Sequence, residues 1–413
     1  MFARLLQKRC GWFFAGAICL CFQSNRLCAV TFDWAAVGNP GNTADTTGFG
    51  AVQYTYRISK HEVTNAQYTE FLNAVAATDT NGLYNTEMES DARGGIIQTG
   101  FSGNFSYAVK AGRGNNPVVY VSFFEVMRFV NWLENGQPTG AQGPATTEEG
   151  VYTINDGLSE TRTASATYSI PSEDEWYKAA YHKNDGITGN YWDHPTSTDA
   201  IPFSDQPPGS GAPDTSNAAR YANYFNDDGD VSGYNDGYAV TGSIAYNQSQ
   251  NYLTDVGAYS FSESPYGTFD QVGNVFEWNE AVISSSFRGL RGGSWGSALG
   301  FSTRGHVSHR GGDSPTREDN TIGFRVASIP GSAVSGDYNH DVTVDAADYV
   351  VWRKGVGVAP TPANYNLWRA HFGETLGNGS GATANATVPE PATLVMLIMA
   401  AAASIPLRRR RIT

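Results

Sequence analysis

The sequence predicts an α+β domain with many turns and little regular secondary structure, followed by a small helical module. Glycine is abundant, with 46 residues among 413, as are asparagine, aspartate, serine and threonine, whereas lysine is scarce. This composition favours a turn-rich fold over a helical bundle. Three capped amphipathic helices stand out, and the chain between them is predicted to be irregular or to form short strands.

Each predicted helix begins at a capping box, in which serine or threonine is followed three residues later by glutamate or glutamine. The pairs are Thr64 with Gln67, Ser122 with Glu125, and Ser172 with Glu175. Apolar side chains then recur at helical spacing, which predicts one buried face per helix. They are Tyr68, Phe71, Leu72 and Val75, then Val126, Phe129, Val130 and Leu133, then Trp176 and Ala180. Gly136 is placed to end the second helix.

The N-terminal segment, residues 1–29, is typical of a secretory signal peptide. Basic residues at positions 4, 8 and 9 precede an apolar run over 11–22, and Ala29 supplies a small residue near a cleavage site. The run is too short to span a bilayer, and it carries the basic flank expected of a signal. A buried N-terminal helix is the alternative. We therefore expect the protein to be exported.

The C-terminal segment, residues 388–413, carries Pro-Glu-Pro at 389–391, an apolar stretch over 393–407 and four arginines from Arg408 to Arg411. It resembles a PEP-CTERM sorting tail, which implies a transient membrane contact and cleavage near Pro-Glu-Pro. The arginines fit retention on the cytoplasmic side of the membrane. A plain C-terminal membrane anchor is the alternative. Both interpretations place the body of the protein in the bacterial cell envelope or outside the cell.

The cysteine positions and the net charge argue against thiol chemistry and against nucleic-acid binding. The cysteines are Cys10, Cys19, Cys21 and Cys28, all within the predicted signal, so the exported body has neither thiol nor disulfide. Removing the signal also removes four basic residues, which moves the formal net charge from −13 to −17. So acidic a protein is not expected to bind nucleic acid, and it suits divalent cations better.

Six short motifs occur in order between residues 34 and 328 and carry a family resemblance. They are KHEVTN (60–65), NPVVYVS (116–122), IPSEDEW (170–176), GNVFEW (273–278), RGGSW (291–295) and GFR (323–325). Together they resemble the formylglycine-generating enzyme, or sulfatase-modifying factor, domain, here assigned to residues 30–328. The resemblance implies a modified C-type-lectin-like fold with little regular secondary structure.

In active members of this family, two cysteines after the Gly-Gly-Ser-aromatic motif bind Cu(I), which activates oxygen to oxidise a sulfatase cysteine to formylglycine. The resemblance places those two positions on Ser297 and Ser302. A serine hydroxyl is a hard ligand with a high pKa and does not replace a soft thiolate on Cu(I). No copper site is therefore expected. Phe276 and Phe301 also depart from the family pattern, whereas Ser294 and Arg310 match it and define a vestigial groove.

A different chemistry in this groove is the alternative. His306 and His309, with Asp313 or Glu318, have the residue types of a 2-His-1-carboxylate iron site. Iron-dependent relatives draw ligands from an additional helical domain, which has no counterpart here, and such a histidine pair is more often a surface or hydrogen-bonding feature. No Gly-x-Ser-x-Gly motif supports a serine hydrolase.

The resemblance also implies two structural calcium sites. The first would use Asn223, Asp236 and the carbonyls of Tyr224 and Tyr238; the second would use Asp270, Glu277 and the carbonyls of Gly273 and Val275. Oxygen ligands on tight loops suit Ca²⁺. The alternative is that these groups only cap turns. Bound calcium would explain how a loop-rich domain without disulfides stays ordered outside the cell.

Beyond a linker at 329–336, residues 337–376 resemble a dockerin, an EF-hand-like calcium module. Oxygen-bearing side chains fall at positions 1, 3, 5, 7, 9 and 12 of a calcium loop: Asp337, Asn339, Asp341, Thr343, Asp345 and Asp348. Val342 stands where glycine normally makes the sharp turn, and an acidic turn without metal is the alternative. The motif at 348–353 recurs at 364–369 without an acidic loop, so one calcium site is expected. A second linker, 377–387, leads to the tail.

Two functional hypotheses follow. The first is a non-catalytic, calcium-stabilised binding or scaffolding module, with an envelope or extracellular protein or a glycan as its ligand. The alternative is an enzyme, either a divergent non-copper metal-dependent oxidoreductase or another protein-modifying enzyme of the formylglycine-generating family. A purely structural role in the extracellular matrix is the remaining alternative. The sequence names no ligand.

Overall fold

The fold is taken from a computed structural model. It describes residues 29–163, 166–207, 220–230, 233–297, 306, 309–329, 336, 338, 344–355, 358 and 360–373. The predicted signal except Ala29, the sorting tail and the second linker lie outside the described residues. So do Phe301, Ser302 and four predicted ligands of the calcium loop, namely Asp337, Asn339, Asp341 and Thr343.

The three predicted helices are confirmed, with their capping boxes. The helices before the linker are α1 (Asn65–Val75), α2 (Glu87–Ser90), α3 (Phe123–Glu134) and α4 (Glu173–Tyr181). In α1, the Gln67 amide donates to Thr64 Oγ1 at 3.2 Å, while the Thr64 amide donates to Gln67 Oε1 at 2.9 Å. Gly136 adopts φ +82° just beyond α3, as its predicted capping role requires. None of the described helices is long and apolar enough to cross a membrane.

Two four-stranded sheets hold the domain together. The first contains β1 (Trp34–Val37), β2 (Tyr56–Ser59), β5 (Tyr168–Ser169) and β14 (Ala327–Ser328), in the antiparallel order β1-β2-β14-β5. The second contains β10 (Phe276–Ile283), β11 (Phe287–Arg291), β12 (Gly311–Asp313) and β13 (Ile322–Gly323), in the order β12-β11-β10-β13, with β10 and β13 parallel. The first sheet thus joins both ends of the domain.

Three two-stranded ribbons and a short π-helix complete this domain among the described residues. The ribbons are β3 (Ile96–Thr99) with β4 (Ser106–Val109), β6 (Phe203–Ser204) with β7 (Tyr221–Ala222), and β8 (Phe225–Asp227) with β9 (Asp236–Tyr238). The π-helix spans Pro144–Glu148. Most strands have only two to five residues, which agrees with the predicted α+β fold of little regular structure.

The main hydrophobic core lies between α1, α3 and the strand ends. Phe129 is fully buried and stacks edge-on against Phe71 and Phe324, with ring centroids 5.3 Å apart in both pairs. These three rings come from α1, α3 and the GFR motif, so the predicted apolar faces of the helices meet the last motif of the domain. Such buried aromatic side chains contribute much of the stability of the core.

Beyond the linker lie α5 (Ala346–Lys354) and α6 (Pro362–His371). Their aromatic side chains pack on one another, with ring centroids 5.2 Å apart for Tyr349 and Trp368 and 5.1 Å apart for Trp352 and Tyr365. Aromatic side chains of the repeated motif thus join the two helices.

Candidate functional site

The Gly-Gly-Ser-Trp motif forms a buried turn directly after β11. Gly292 and Gly293 adopt φ values of +96° and +80°, which favour glycine. Ser297, the position of one family cysteine, is 3% exposed. Its hydroxyl oxygen accepts from the Ser294 amide at 3.0 Å and lies 3.2 Å from Ser294 Oγ. Ser297 therefore closes the turn through hydrogen bonds, a structural use of the hydroxyl.

Arg310, the other matching groove residue, is held by a glutamate. Its guanidinium contacts both carboxylate oxygens of Glu173 at 2.6–3.0 Å, and Arg291 donates to Oε1 of the same carboxylate at 2.7 and 3.0 Å. Both guanidiniums also lie over the Phe49 ring. Hydrogen bonds donated to Glu173 raise the pKa of Arg310. Arg310 thus joins the groove wall to the first turn of α4.

His306 and His309 lie in different surroundings. The His306 ring packs against His194, with centroids 5.6 Å apart, and His306 Nε2 lies 3.9 Å from Asp193 Oδ1. His309 instead lines a cavity of about 260 Å³ with Asp313. The Glu318 carboxylate instead accepts a hydrogen bond from Asn85. Across the described part of the chain, no three histidine, cysteine or acidic side chains converge to enclose a metal ion.

At the first predicted calcium site, one oxygen of the Asp236 carboxylate has no hydrogen-bond donor among the described residues, whereas both predicted carbonyls already accept hydrogen bonds. Asp236 Oδ1 is buried without a hydrogen-bond partner, as is Oδ2 of the neighbouring Asp205. Burial and the nearby Asp236 raise the pKa of Asp205, although the Gln206 amide opposes this effect. The Tyr224 carbonyl accepts from Ser204 Oγ at 2.6 Å, and the Tyr238 carbonyl accepts from the Gly242 amide at 2.8 Å.

The Asn223 side chain is anchored at this site through its amide nitrogen. Its side-chain amide donates to the Tyr252 carbonyl at 2.8 Å and to Asn274 Oδ1 at 3.1 Å. Two buried carboxylate oxygens without donors fit a cation, since an uncompensated buried charge is costly. A cation at the first site would therefore be held mainly by Asp205 and Asp236. The sequence analysis did not predict Asp205 as a ligand.

The second predicted site lies in a cluster of buried acids. Asp270 Oδ2 accepts from the Gly257 amide at 2.6 Å, and burial raises the Asp270 pKa to about 6. Glu277 accepts from Arg325 at 2.5 and 2.7 Å and from Trp176 Nε1 at 2.7 Å. Arg325 therefore neutralises Glu277. The Gly273 backbone lies directly against Asn223, to which it forms a β-bridge.

Of the predicted loop in the small module, Asp345 and Asp348 are described. They form the N-terminal capping box of α5: Asp345 Oδ1 accepts from the Ala347 amide, and Asp348 Oδ2 accepts from the Asp345 amide, each at 2.7 Å. Asp348 is fully buried, and its Oδ1 accepts from the Tyr338 amide at 2.6 Å. The last predicted ligand thus fixes the start of the helix.

A ledge of stacked aromatic rings, missed from the sequence, lies beside the groove. Trp295 stacks on Tyr252 with centroids 4.8 Å apart and an interplanar angle of 7°, and the Tyr246 ring lies beside both, 5.7 Å from Tyr252 and 6.4 Å from Trp295. Arg93 lies over the Tyr246 and Trp295 rings, and Tyr246 is 51% exposed. These residues come from three distant segments without a common spacing, so no local signal predicted the ledge.

The fold and the groove define an α+β domain of the sulfatase-modifying class, built from short strands and capped helices around a buried Gly-Gly-Ser-Trp turn. The sequence model of the sulfatase-modifying factor enzyme 1-like domain (FGE-sulfatase) matches residues 50–329, and the chain belongs to this family.

Three solved structures are similar to this chain. CarF is 19% identical over 72% of this chain and 98% of its own, with a TM-score of 0.40. Variable protein 1 of Treponema denticola is 18% identical over 73% and 96%, with a TM-score of 0.36. PvdO from Pseudomonas aeruginosa is 18% identical over 72% and 91%, with a TM-score of 0.35. No curated protein sequence matches this chain.

Proposed function

We propose that this protein is an exported, calcium-stabilised binding or scaffolding protein of the bacterial envelope, whose sulfatase-modifying-type domain does not oxidise cysteine with copper. The observation that supports this is the state of Ser297. Its hydroxyl is buried and closes a turn with Ser294. Cu(I) binding requires soft thiolate ligands, and the exported body contains no cysteine.

The aromatic ledge of Tyr246, Tyr252 and Trp295 is the proposed binding face. An exposed ring backed by a rigid stack offers contact area at a low cost in conformational entropy. Asp91 holds Arg93 over the rings, so the stack is preorganised. The ligand class is an envelope or extracellular protein or a glycan, and the predicted tail 388–413 would bring the protein into transient membrane contact.

Metal analysis of the purified protein, together with oxygen consumption, tests this function. We expect calcium, no stoichiometric copper or iron, and no oxygen uptake with thiol substrates. Stoichiometric iron that is lost in His306→Ala would contradict the proposal and favour the metal-dependent oxidoreductase. His309→Ala tests the second histidine of the same candidate pair, whose backbone amide donates to the His306 carbonyl at 2.9 Å.

The small module is proposed to be a dockerin-like calcium switch that attaches the domain to partners. Calcium bound by the loop at 337–348 would fix the turn that precedes α5. We expect added Ca²⁺ to increase the helical circular-dichroism signal of the protein, and Asp341→Ala to abolish that increase because it removes a loop ligand. Thr361→Ala, which removes the cap of α6 outside the loop, should retain the calcium response. A calcium response that survives Asp341→Ala would exclude this loop as its source.

A further inference from the structure

Val30, the first residue after the predicted signal segment, is held at both of its backbone groups by one side chain. Its amide donates to Gln137 Oε1 at 2.7 Å, and its carbonyl accepts from Gln137 Nε2 at 2.8 Å. Val30 itself is buried and packs in the main core. One residue further on, the Thr31 carbonyl accepts from Gln67 Nε2 at 2.8 Å. The backbone is therefore fixed in place from residue 30 onwards by side chains of α1 and of the loop after α3.

Gln137 reaches Val30 because of a left-handed turn at the end of α3. Gly136 and Gln137 adopt φ values of +82° and +58°, and the Gln137 amide donates to the Trp132 carbonyl at 2.9 Å. The left-handed region is unfavourable for a residue with a long side chain. The turn keeps the Gln137 side chain next to the C-terminal end of α3, so the Val30 nitrogen lies near the negative end of that helix dipole.

The space beside the start of this segment is acidic. A cavity of about 400 Å³ is lined by Ala29, Gln137, Glu70 and Glu134, among others. Glu134 ends α3, and its carboxylate accepts from two backbone amides at 3.0–3.2 Å. The last turn of α3 contains no basic residue. Two carboxylates and the helix dipole thus give this cavity a negative charge that the last turn of α3 does not balance.

We propose that this end of α3 is a binding site for the α-ammonium group of Val30, which forms when the bond between Ala29 and Val30 is cut. The inference rests on the export that is part of the proposed function. Hydrolysis by the peptidase of the export system breaks the C–N bond with one water: the hydroxyl group joins the Ala29 carbonyl, and the nitrogen of Val30 takes up the hydrogen. At neutral pH the new amine binds a further proton. This cation would donate to Gln137 Oε1, and its charge would face the carboxylates of Glu70 and Glu134.

The competing explanation is that Gln137 only clamps a continuous backbone. The clamp alone would serve both cases equally, because an amide N–H and an ammonium N–H both donate to the Gln137 oxygen. The carboxylates and the helix end distinguish the two cases, since they stabilise a cation and contribute little to a neutral amide. An ammonium group also has three N–H donors, of which Gln137 takes one, and the carboxylates are acceptors for the others. Cleavage would therefore add stability to the folded domain.

The test compares two purified forms of the protein, one that begins with a free amine at Val30 and one with a short glycine and serine leader before Val30. We expect the free-amine form to unfold at a temperature at least about 2 °C higher at about pH 6. The difference should be lost by about pH 10, since deprotonation of the amine removes its charge. Burial and Glu134 raise the pKa of Tyr168, which also lines the cavity, whereas Arg57 opposes this effect. That phenol is common to both forms and stays mainly neutral over this range.

Glu70→Gln removes one carboxylate of the cavity and should reduce the advantage of the free-amine form. Glu263→Gln is its matched control, because Glu263 is exposed and does not line the cavity. It should leave the difference between the two forms unchanged. Equal unfolding temperatures of the two forms at about pH 6 would overturn the binding of the amine and leave the export untouched.

Mass spectrometry of the protein from its own cells identifies the N-terminal residue. The inference expects Val30. An N-terminus at a later residue would overturn the inference while supporting export. Retention of residues 1–29 would overturn both the inference and the export in the proposed function, so the two failures are distinguishable.

Discussion

Replacing Arg325 by methionine is expected to destabilise the protein by about 3–5 kcal/mol, because it breaks a fully buried ion pair and leaves its partner charged. Arg325 and Glu277 are both inaccessible to solvent, and Arg325 also donates to three backbone carbonyls. Its loss would leave Glu277, Glu62 and Asp270 without the opposing guanidinium. Such a change is a large fraction of the 5–15 kcal/mol that is typical for a folded domain.

Urea unfolding followed by tryptophan fluorescence measures this effect, and Arg317→Met is its matched control. Arg317 also pairs with an acid, Asp319, but its side chain is 52% exposed. Exposed ion pairs contribute about 0–1 kcal/mol, so the control should unfold almost like wild type. Equal destabilisation of the two variants would show that the buried pair has no special role in the fold.

Replacing Gly273 by alanine is expected to cost about 2–4 kcal/mol, since the new methyl group meets both an unfavourable φ and a steric clash. Gly273 has φ +83°, and a Cβ atom there would lie 2.2 Å from the Asn223 carbonyl oxygen. That oxygen is backbone, accepts from the Asn274 amide at 2.7 Å, and cannot move independently. The substitution should therefore separate the two loops that carry the predicted calcium ligands.

The control for this substitution is Gly267→Ala, which isolates the backbone contribution. Gly267 has a similar φ of +80°, but nothing lies within 4 Å of an added Cβ. The left-handed conformation alone costs about 1–2 kcal/mol for an L-residue, so Gly267→Ala should be the milder variant. Comparable unfolding free energies for the two variants would argue against the close approach of Gly273 and Asn223.

The helices were predictable because their signals are local. A capping box and the apolar spacing after it lie within one or two turns, and the structure places α1, α3 and α4 where Thr64, Ser122 and Ser172 predict them. Strand pairing was not predictable, since β2 pairs with β14 across most of the domain and strands of two to four residues show no clear alternation.

The candidate site was predictable only in part. The family resemblance named Ser294, Ser297, Asp236, Asp270 and Glu277 from the sequence alone. Asp205 and the ring stack of Tyr246 and Trp295 have no such pattern, since their significance depends on neighbours far away in the chain.

The sequence by itself determined the family, the helix starts and the absence of cysteine from residues 29–413, because these depend on residue identity and short spacing. Only the tertiary structure decided which charges meet. It brought Arg325 onto Glu277, it bound Arg310 to Glu173, and it packed the His306 ring against His194. The physical reason is that a carboxylate or imidazole acquires its role from the donors, charges and solvent around it, and folding supplies these from segments that may lie hundreds of residues apart.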